Sequence, residues 1–509
     1  MNRIQKQLKL LVAMLLLGIV FSACSGDEDV VRIFESSLQT SSAGLASANE
    51  QVDVVVNFSV PTIVEATVVL EVVENGVIYG TDYTTSPAVA DGLITITVPV
   101  GSQSAGFTIT RLTEFLDSGK DVTFNLLSVD GEEDVNLIGT LSTTVSFDEV
   151  INTGSTIDLL TGGSTQPNQC YIDLSSGKQT AVRRDTWEIG FYNGSENRVF
   201  LNAALKVSIA EIPGVTDLNA INSSTQFSTP IDLYTDYGST EIEVKNVEEL
   251  LVGLPLGYGQ YGNLGNGVAF TDSQAGNIDE TAMGEISTAD TENNVYIISL
   301  GDAIPDTEAE PSAINTAGDH RGFMKLRVLT DGSSYTLQYA DLDDTNFSEA
   351  TITKDESYVL KAFSLVNKEE VSVEPEADKW DINFSGVFSY YGPFYGYPGA
   401  GLTFSDYGLH NTLGNVGLYQ VIIYSGDDVY DVPSYDNFSL TDIDESALVY
   451  DNRTIIASDW RNSTDGIAKD DRYYVIKDFQ GNYFKLKFTA LVSSEGARGY
   501  SQFTYALLQ

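Results

Sequence analysis

The sequence predicts an all-β protein: a β-sandwich followed by two β-rich repeats with minor helices. Three observations predict it. Residues 51–150 break into short runs rich in Val, Ile, Thr and Phe, separated by turn pairs. A second pattern recurs between the two halves of residues 170–509. The composition, with 44 Gly and 27 Tyr, leans towards strands and turns. At 509 residues the chain exceeds one ordinary core, and 42% hydrophobic residues suffice to bury several.

Charge narrows the function. Asp and Glu number 72 against 27 Lys and Arg, a formal net charge of -45. That balance argues against a nucleic-acid partner, because phosphate contacts need clustered bases. Two His, two Cys and four Met leave no material for a His-rich metal cluster or a Cys pair motif.

The chain begins MNRIQKQLKLLVAMLLLGIVFSAC. Arg3, Lys6 and Lys9 precede an apolar run from Leu10 to Phe21, then the small residues Ser22 and Ala23. The run is short for a membrane span. Residues 1–24 resemble a bacterial lipoprotein signal, which implies Cys24 as the lipidation site. The acidic run Asp27 to Asp29 resembles the surface-export signal of Bacteroidetes lipoproteins. The expectation is an outer-membrane protein held by a lipid anchor and facing the cell exterior. Removing the leader leaves 24 bases against 72 acids, a mature charge of -48. The Ser-rich residues 25–50 read as a flexible tether.

From Gln51 the pattern becomes VDVVVNFSV, ATVVLEVV, GLITITVPV, SAGFTITRL, KDVTFNLLSV and LSTTVSFDEV. Asn75-Gly76, Asp91-Gly92, Gly101-Ser102 and Asp130-Gly131 mark turns between them. Strands of this length and spacing read as a sandwich. Tyr79-Gly80-Thr81-Asp82-Tyr83, ITITVPVGSQSAGFTI and VTFNLLSVDG resemble a Calx-β-like, immunoglobulin-like domain over residues 51–150. Calcium-binding members of that family use an adjacent acidic pair. Here Glu114-Phe115-Leu116-Asp117 lacks one, which argues against calcium. The domain reads as a structural spacer, with an adhesive or ligand-binding module as the alternative.

Residues 151–169, with TGGSTQPNQ, read as a second linker. Cys170 has no partner if Cys24 carries lipid, and is expected to be buried and inert. The repeat follows, with copies at 170–350 and 355–509. Trp187-Glu188-Ile189-Gly190-Phe191 matches Trp380-Asp381-Ile382-Asn383-Phe384. Val295-Tyr296-Ile297-Ile298 matches Tyr473-Tyr474-Val475-Ile476, and Phe323 to Arg327 matches Tyr483 to Lys487. The Trp is a natural core anchor. In YFKLKF, alternation places Lys485 and Lys487 towards water. A short helix is expected at 244–252.

WEIGFYNGSENRVFLN, KWDINF, NNVYIISL, RYYVIKDFQGNYFKLKFTAL and GYSQFTYALL resemble the HmuY family, haem-binding lipoproteins of the Bacteroidetes. The likeness implies haem or another porphyrin as ligand and an outer-membrane receptor as partner. Haem iron takes His or Met as axial ligands in many proteins. The mature chain offers His320, His410, Met283 and Met324. Met324 sits in an alternating strand and reads as core. His320 lies in the loop AGDHRG, and His410 in FSDYGLHNTLGNVG between the Trp strand and the YVI strand. His410 is therefore the candidate iron ligand. Tyr390, Tyr391, Tyr395 and Tyr397, in YYGPFYGY, form a candidate stacking loop for a porphyrin or a sugar. Arg183-Arg184 reads as surface solvation, or as a contact to an anionic group. The competing readings are a non-catalytic polysaccharide or peptide binder and a structural accessory of an uptake complex. An enzyme is not expected: the chain has no Walker loop, HExxH or G-x-S-x-G.

Overall fold

The computed structural model describes residues 34–508 except 40–41, 46–49, 114–118, 148–150, 236–239, 255–269, 311, 392–399 and 427. The described residues are mostly strand, with the α-helix Val247–Gly253 and short 3-10 turns. That helix overlaps the expected 244–252. Asn246 caps it by accepting a hydrogen bond from the Glu249 N–H.

Two five-stranded sheets form the N-terminal part. One runs Tyr83–Ser86, Ser104–Arg111, Gln51–Phe58, Phe34–Leu38, Val135–Leu137. The other runs Ser42–Gly44, Ser142–Ser146, Asp121–Asp130, Ala66–Asn75, Leu93–Val98. Alternation fills the space between them: Ile94, Ile96 and Val98 from one sheet meet Phe107 and Ile109 from the other in a shared core. Phe107 and Phe124 touch edge to face at 4.7 Å between centroids. The buried Arg111 guanidinium donates to the Leu45 and Phe147 carbonyls, tying the entry of the chain to its exit.

Part of the expected tether is therefore structure. Phe34–Leu38 pairs antiparallel with Gln51–Phe58 and parallel with Val135–Leu137. Ser42–Gly44 pairs with Ser142–Ser146. The segment is polar in composition, yet Phe34, Leu38 and Leu45 are buried and belong to the sandwich core. Three well-placed apolar side chains outweigh the serines between them.

The expected linker at 151–169 is also structured. Gly154–Asp158 pairs antiparallel with the C-terminal strand Arg498–Leu507. At Gly154, φ is +135°, and an added Cβ would lie 2.5 Å from the Tyr505 carbonyl oxygen, so only glycine permits this approach.

Strand pairing divides the remaining chain differently from the boundaries 170–350 and 355–509. Ile189–Tyr192 of the first Trp motif pairs with Val199–Leu201 and with Leu360–Ser364, which pairs in turn with Glu369–Val371. The first three of these strands share a core with the sheet Ser208–Ile212, Val295–Ser299, Phe323–Thr330, Ser334–Asp341, Ser348–Thr353. Together they form an inserted unit over residues 187–371. Ile382–Tyr391 of the second Trp motif pairs instead with Asn168–Asp173, from the far side of that insertion, and with Ala400–His410. Lys178–Arg183 completes this sheet. It shares a core with the sheet Gly154–Asp158, Arg498–Leu507, Tyr483–Val492, Arg472–Lys477, Gly417–Ile422. This split unit thus needs residues 154–183 as well as 380–508.

The same latch closes both units. Glu188 Oε2 accepts from the Leu365 N–H at 2.6 Å, and the Glu188 N–H donates to the Phe363 carbonyl at 3.2 Å. Asp381 Oδ2 accepts from the Leu174 N–H at 2.7 Å, and the Asp381 N–H donates to the Ile172 carbonyl at 2.7 Å. The acid after each Trp therefore grips the turn of the adjoining hairpin. Lysines of the KL motif repeat a role too. Lys325 donates to the Ile221 and Asp344 carbonyls, and Lys485 to the Tyr435 and Phe438 carbonyls. Lys485 thus serves as an internal tie rather than a water-facing charge.

Residues 380–508 expressed alone are expected to lack a cooperative melt, because Arg498–Leu507 and Ile382–Tyr391 each lose the strand paired along one edge. A peptide spanning 154–183 added in trans is expected to restore the melt, read by circular dichroism. Cooperative melting without the peptide would contradict this division of the chain.

Candidate functional site

Where the inserted and split units meet, their side chains line a partly open cavity of about 110 Å³. The split unit contributes Gln169, Tyr171, Trp380, Asn383, His410 and Arg453. The inserted unit contributes Trp187, Leu201, Asp272, Leu360 and Glu374. The Trp187 indole donates to Gln169 Oε1 at 2.9 Å across the junction. Tyr171 and Trp380 meet edge to face at 5.2 Å between centroids.

Burial governs the ionisable groups here. Glu374 accepts from the Leu360 N–H at 2.8 Å, and burial pushes its carboxyl up to about 8. Asp272 accepts from the Leu201 and Ala282 N–H groups, yet burial still raises it to about 6. Arg453 donates from Nε to the Gln274 carbonyl at 3.2 Å and makes no ion pair among the described residues. Burial lowers its pKa against the opposing pull of Asp272, Tyr407 and Tyr171. Gly276, at φ +74°, leaves room for the Arg453 stem: an added Cβ would stand 2.5 Å from its Cδ.

His410 lies inside this cavity, 1% exposed, at the end of the strand Ala400–His410 rather than in a surface loop. Its Nε2 is 3.0 Å from the Val449 carbonyl oxygen, which can only accept, so the proton sits on Nε2. Burial lowers its pKa to about 4 and keeps the ring neutral. Nδ1 is left with a lone pair and no protein partner. The buried Trp380 Nε1 and Asn383 Nδ2 also lack protein partners. Three residues that line the cavity thus each carry a buried polar atom without a protein partner, a concentrated desolvation cost.

The other candidates are placed elsewhere. His320 is exposed; its Nε2 lies 2.8 Å from Ser299 Oγ and its Nδ1 accepts from the Gly322 N–H. Met283 and Met324 are buried in the core of the inserted unit. Tyr390 and Tyr391 end the strand Ile382–Tyr391, opposite Gly401 and Ala400. Tyr395 and Tyr397 lie outside the described residues, as do Cys24, Glu114 and Asp117. Cys170 is buried, and burial pushes its thiol well above the ordinary range. Arg184 is no surface charge: it is 2% exposed and donates to the Gln166, Ala204 and Thr316 carbonyls. Arg183 pairs locally with Asp185. Sequence reasoning missed Glu374, Asn383, Asp272 and Arg453 as site residues. Their signal is spatial convergence, which no local spacing reveals.

Residues 165–505 match the family described as HmuY protein, about two thirds of the chain and nearly the whole of both units. The chain belongs to the HmuY family. No curated protein matches it. Among solved structures it is similar to the apo form of the Calx CBD1 domain, at 17% identity over 23% of this chain and 98% of that one, TM-score 0.20. It is also similar to CBD12 from CALX1.2, at 14% identity over 33% and 72%, TM-score 0.19. The HmuY match is a single span, so the family region includes the junction and its cavity.

Within this HmuY-family region, Glu374 supplies a pH test. Its folded pKa, about 8, stands above its ordinary value of 4.5. The native state therefore holds a proton that the unfolded chain releases. Its contribution is fully present below about pH 4.5 and is lost as pH rises through about 8, at about 1.4 kcal/mol per unit within that window. Glu374→Gln keeps the oxygen that accepts from Leu360. The variant is expected to match the parent in denaturant melts at acidic pH and to exceed it at alkaline pH. Equal pH dependence of the two proteins would contradict the assignment.

Proposed function

We propose that this chain is a non-catalytic binding lipoprotein of the cell surface, which captures a ligand and passes it to an outer-membrane receptor. The observation that carries this reading is the HmuY-family match over residues 165–505. The lipoprotein-type leader ending at Cys24 and the strongly acidic body support a lipid-anchored protein of the outer membrane facing outward. The N-terminal sandwich then acts as a Calx-β-like, immunoglobulin-like spacer that lifts the family region off the membrane. Its two five-stranded sheets around one core support that role. The Trp, YVI and KL motifs support an origin of the family region in two HmuY-like copies.

Haem or another porphyrin is the ligand that the family resemblance implies. A cavity of about 110 Å³ around a 1% exposed imidazole does not admit a macrocycle, so His410 is a poor iron ligand in this conformation. The Tyr-rich stretch 390–397 is the better position for a porphyrin, with Tyr395 or Tyr397 as phenolate ligand or stacking partner.

Two experiments test the proposal. Cys24→Ser is expected to abolish lipid labelling and move the protein out of the outer-membrane fraction. Retention there would contradict the anchor. Titration of the mature protein with haem is expected to shift the Soret band. The shift should survive His410→Ala and weaken in the double variant Tyr395→Phe, Tyr397→Phe. Absence of any shift removes the porphyrin reading, and a shift that depends on His410 removes its placement.

A further inference from the structure

Strand order repeats between the inserted and split units, and it shows where the first strands of each copy go. The five-stranded sheet of the inserted unit runs Ser208–Ile212, Val295–Ser299, Phe323–Thr330, Ser334–Asp341, Ser348–Thr353. Its counterpart runs Gly417–Ile422, Arg472–Lys477, Tyr483–Val492, Arg498–Leu507, Gly154–Asp158. The four-stranded sheets correspond in the same way. Val199–Leu201, Ile189–Tyr192, Leu360–Ser364 and Glu369–Val371 match Ala400–His410, Ile382–Tyr391, Asn168–Asp173 and Lys178–Arg183. In every sheet the closing strands come from the other copy. Gly154–Asp158 and the hairpin 168–183 lead the first copy and complete the second. Ser348–Thr353 and the hairpin 360–371 lead the second copy and complete the first. The exchange is reciprocal.

Chain geometry compels it. In the split unit Asp381 stands at the turn end of hairpin 168–183, bonded to the Leu174 N–H. Arg183 leaves that hairpin at the opposite end, paired with Asn168. Those points lie roughly 20 Å apart along the strand and roughly 10 Å apart across two strand spacings, about 22 Å in all. For the first copy to close on itself, Glu188 would have to take the place of Asp381. The five residues from Arg183 to Glu188 span at most about 18 Å at full extension, which is too short. The connection from Val371 to Asp381 is longer and would reach. Self-closure there, however, would leave both 154–183 and the edge of the inserted unit unpaired.

We propose that residues 154–183 are a donor segment that only another copy of this module can house, and that a second chain of this protein is a partner they fit, the two chains closing each other's split units.

The contacts of a closed split unit are the same whichever chain supplies the segment. Gly154–Asp158 lies along Arg498–Leu507, Asn168–Asp173 lies along Ile382–Tyr391, and Leu174 donates to Asp381. The sandwich travels with the segment, tied to it by Gln39 Nε2 on the Gln179 carbonyl and Ser37 Oγ on Asp158. Only the turn Arg184–Thr186 changes, opening into a crossing between chains. In the closed chain Arg184 holds that turn through the Gln166, Ala204 and Thr316 carbonyls. With contacts equal, effective concentration decides between one chain and two, and a short tether sets it in the millimolar range. Dilute chains therefore close alone, and concentrated chains pair.

The exchange rests on the two-copy origin of the family region and not on its ligand, so a failed haem titration leaves it standing. The test uses mature chains carrying two different affinity tags, unfolded together in guanidinium and refolded. At about 100 μM, about a tenth of the protein is expected as mixed dimer, and at about 1 μM about a hundredfold less. Capture on one tag with detection of the other reads the mixture, and light scattering reads its mass. Excess peptide spanning 154–183 is expected to suppress the mixed dimer, because it fills the same edges. Deleting Asp185 and Thr186 removes the turn that the closed chain needs, and is expected to make the dimer the main species even at about 1 μM. If the deletion variant fails to fold, the two-tag result of the parent decides alone. No mixed species from the parent at the higher concentration, a mixed species indifferent to the peptide, or a folded monomeric deletion variant would each overturn the proposal.

Discussion

Two carboxyl groups hold this architecture together, each placed one residue after a tryptophan. Glu188 and Asp381 both accept the N–H of a leucine that opens a hairpin turn, Leu365 and Leu174 respectively. Both return their own N–H to the strand just before that turn. In the inserted unit the gripped hairpin follows in sequence. In the split unit it comes from more than 200 residues earlier, since Asp381 and Leu174 are 207 residues apart. The two latches also differ electrically. Glu188 is fully buried and paired with Arg321 at 2.6 Å. Asp381 has Asp173 and Asp478 as neighbours instead, and burial holds it well above the usual carboxylate range. A neutralised acid keeps its accepting oxygen without the full cost of a buried charge.

The site follows from that arrangement. Because the hairpin 168–183 crosses to the split unit, Gln169 and Tyr171 stand opposite Trp187 and Leu360. The cavity is what remains where the two closures abut. Its polar groups are supplied by both units, so no isolated half could form it. Burial that stabilises the junction also sets the protonation states within it, raising Glu374 and lowering His410. Shape and electrostatics at this point share one cause.

Much of the fold was legible in the sequence, and the failures are instructive. Alternation in LITITV and FTIT reads directly as buried and exposed faces, and the structure buries Ile94, Ile96, Phe107 and Ile109. The Trp, YVI and KL motifs mark strands at corresponding places in two sheet systems. Phe34–Leu38 was hidden because FESSL is polar on average, though its apolar ends do the anchoring. The crossing of hairpin 168–183 was invisible, since hydrogen-bond pairing between distant strands leaves no local pattern. His410 read as a loop ligand because Gly and Asn surround it, yet it closes a long strand opposite Ile382. Glu374 sits in the acidic stretch VEPEAD, where nothing local sets it apart, yet it is 7% exposed and lines the cavity.

The central claim is that residues 154–183 belong structurally to the split unit and build one side of the junction. Hydrogen exchange of the intact mature chain, resolved by mass spectrometry, tests it most directly. The account predicts that Asn168–Asp173 exchanges in step with Ile382–Val387, and Leu360–Ser364 in step with Ile189–Tyr192, as denaturant is raised. Asn168–Asp173 opening in step with Ile189–Tyr192 instead, while Ile382–Val387 stays protected, would contradict it.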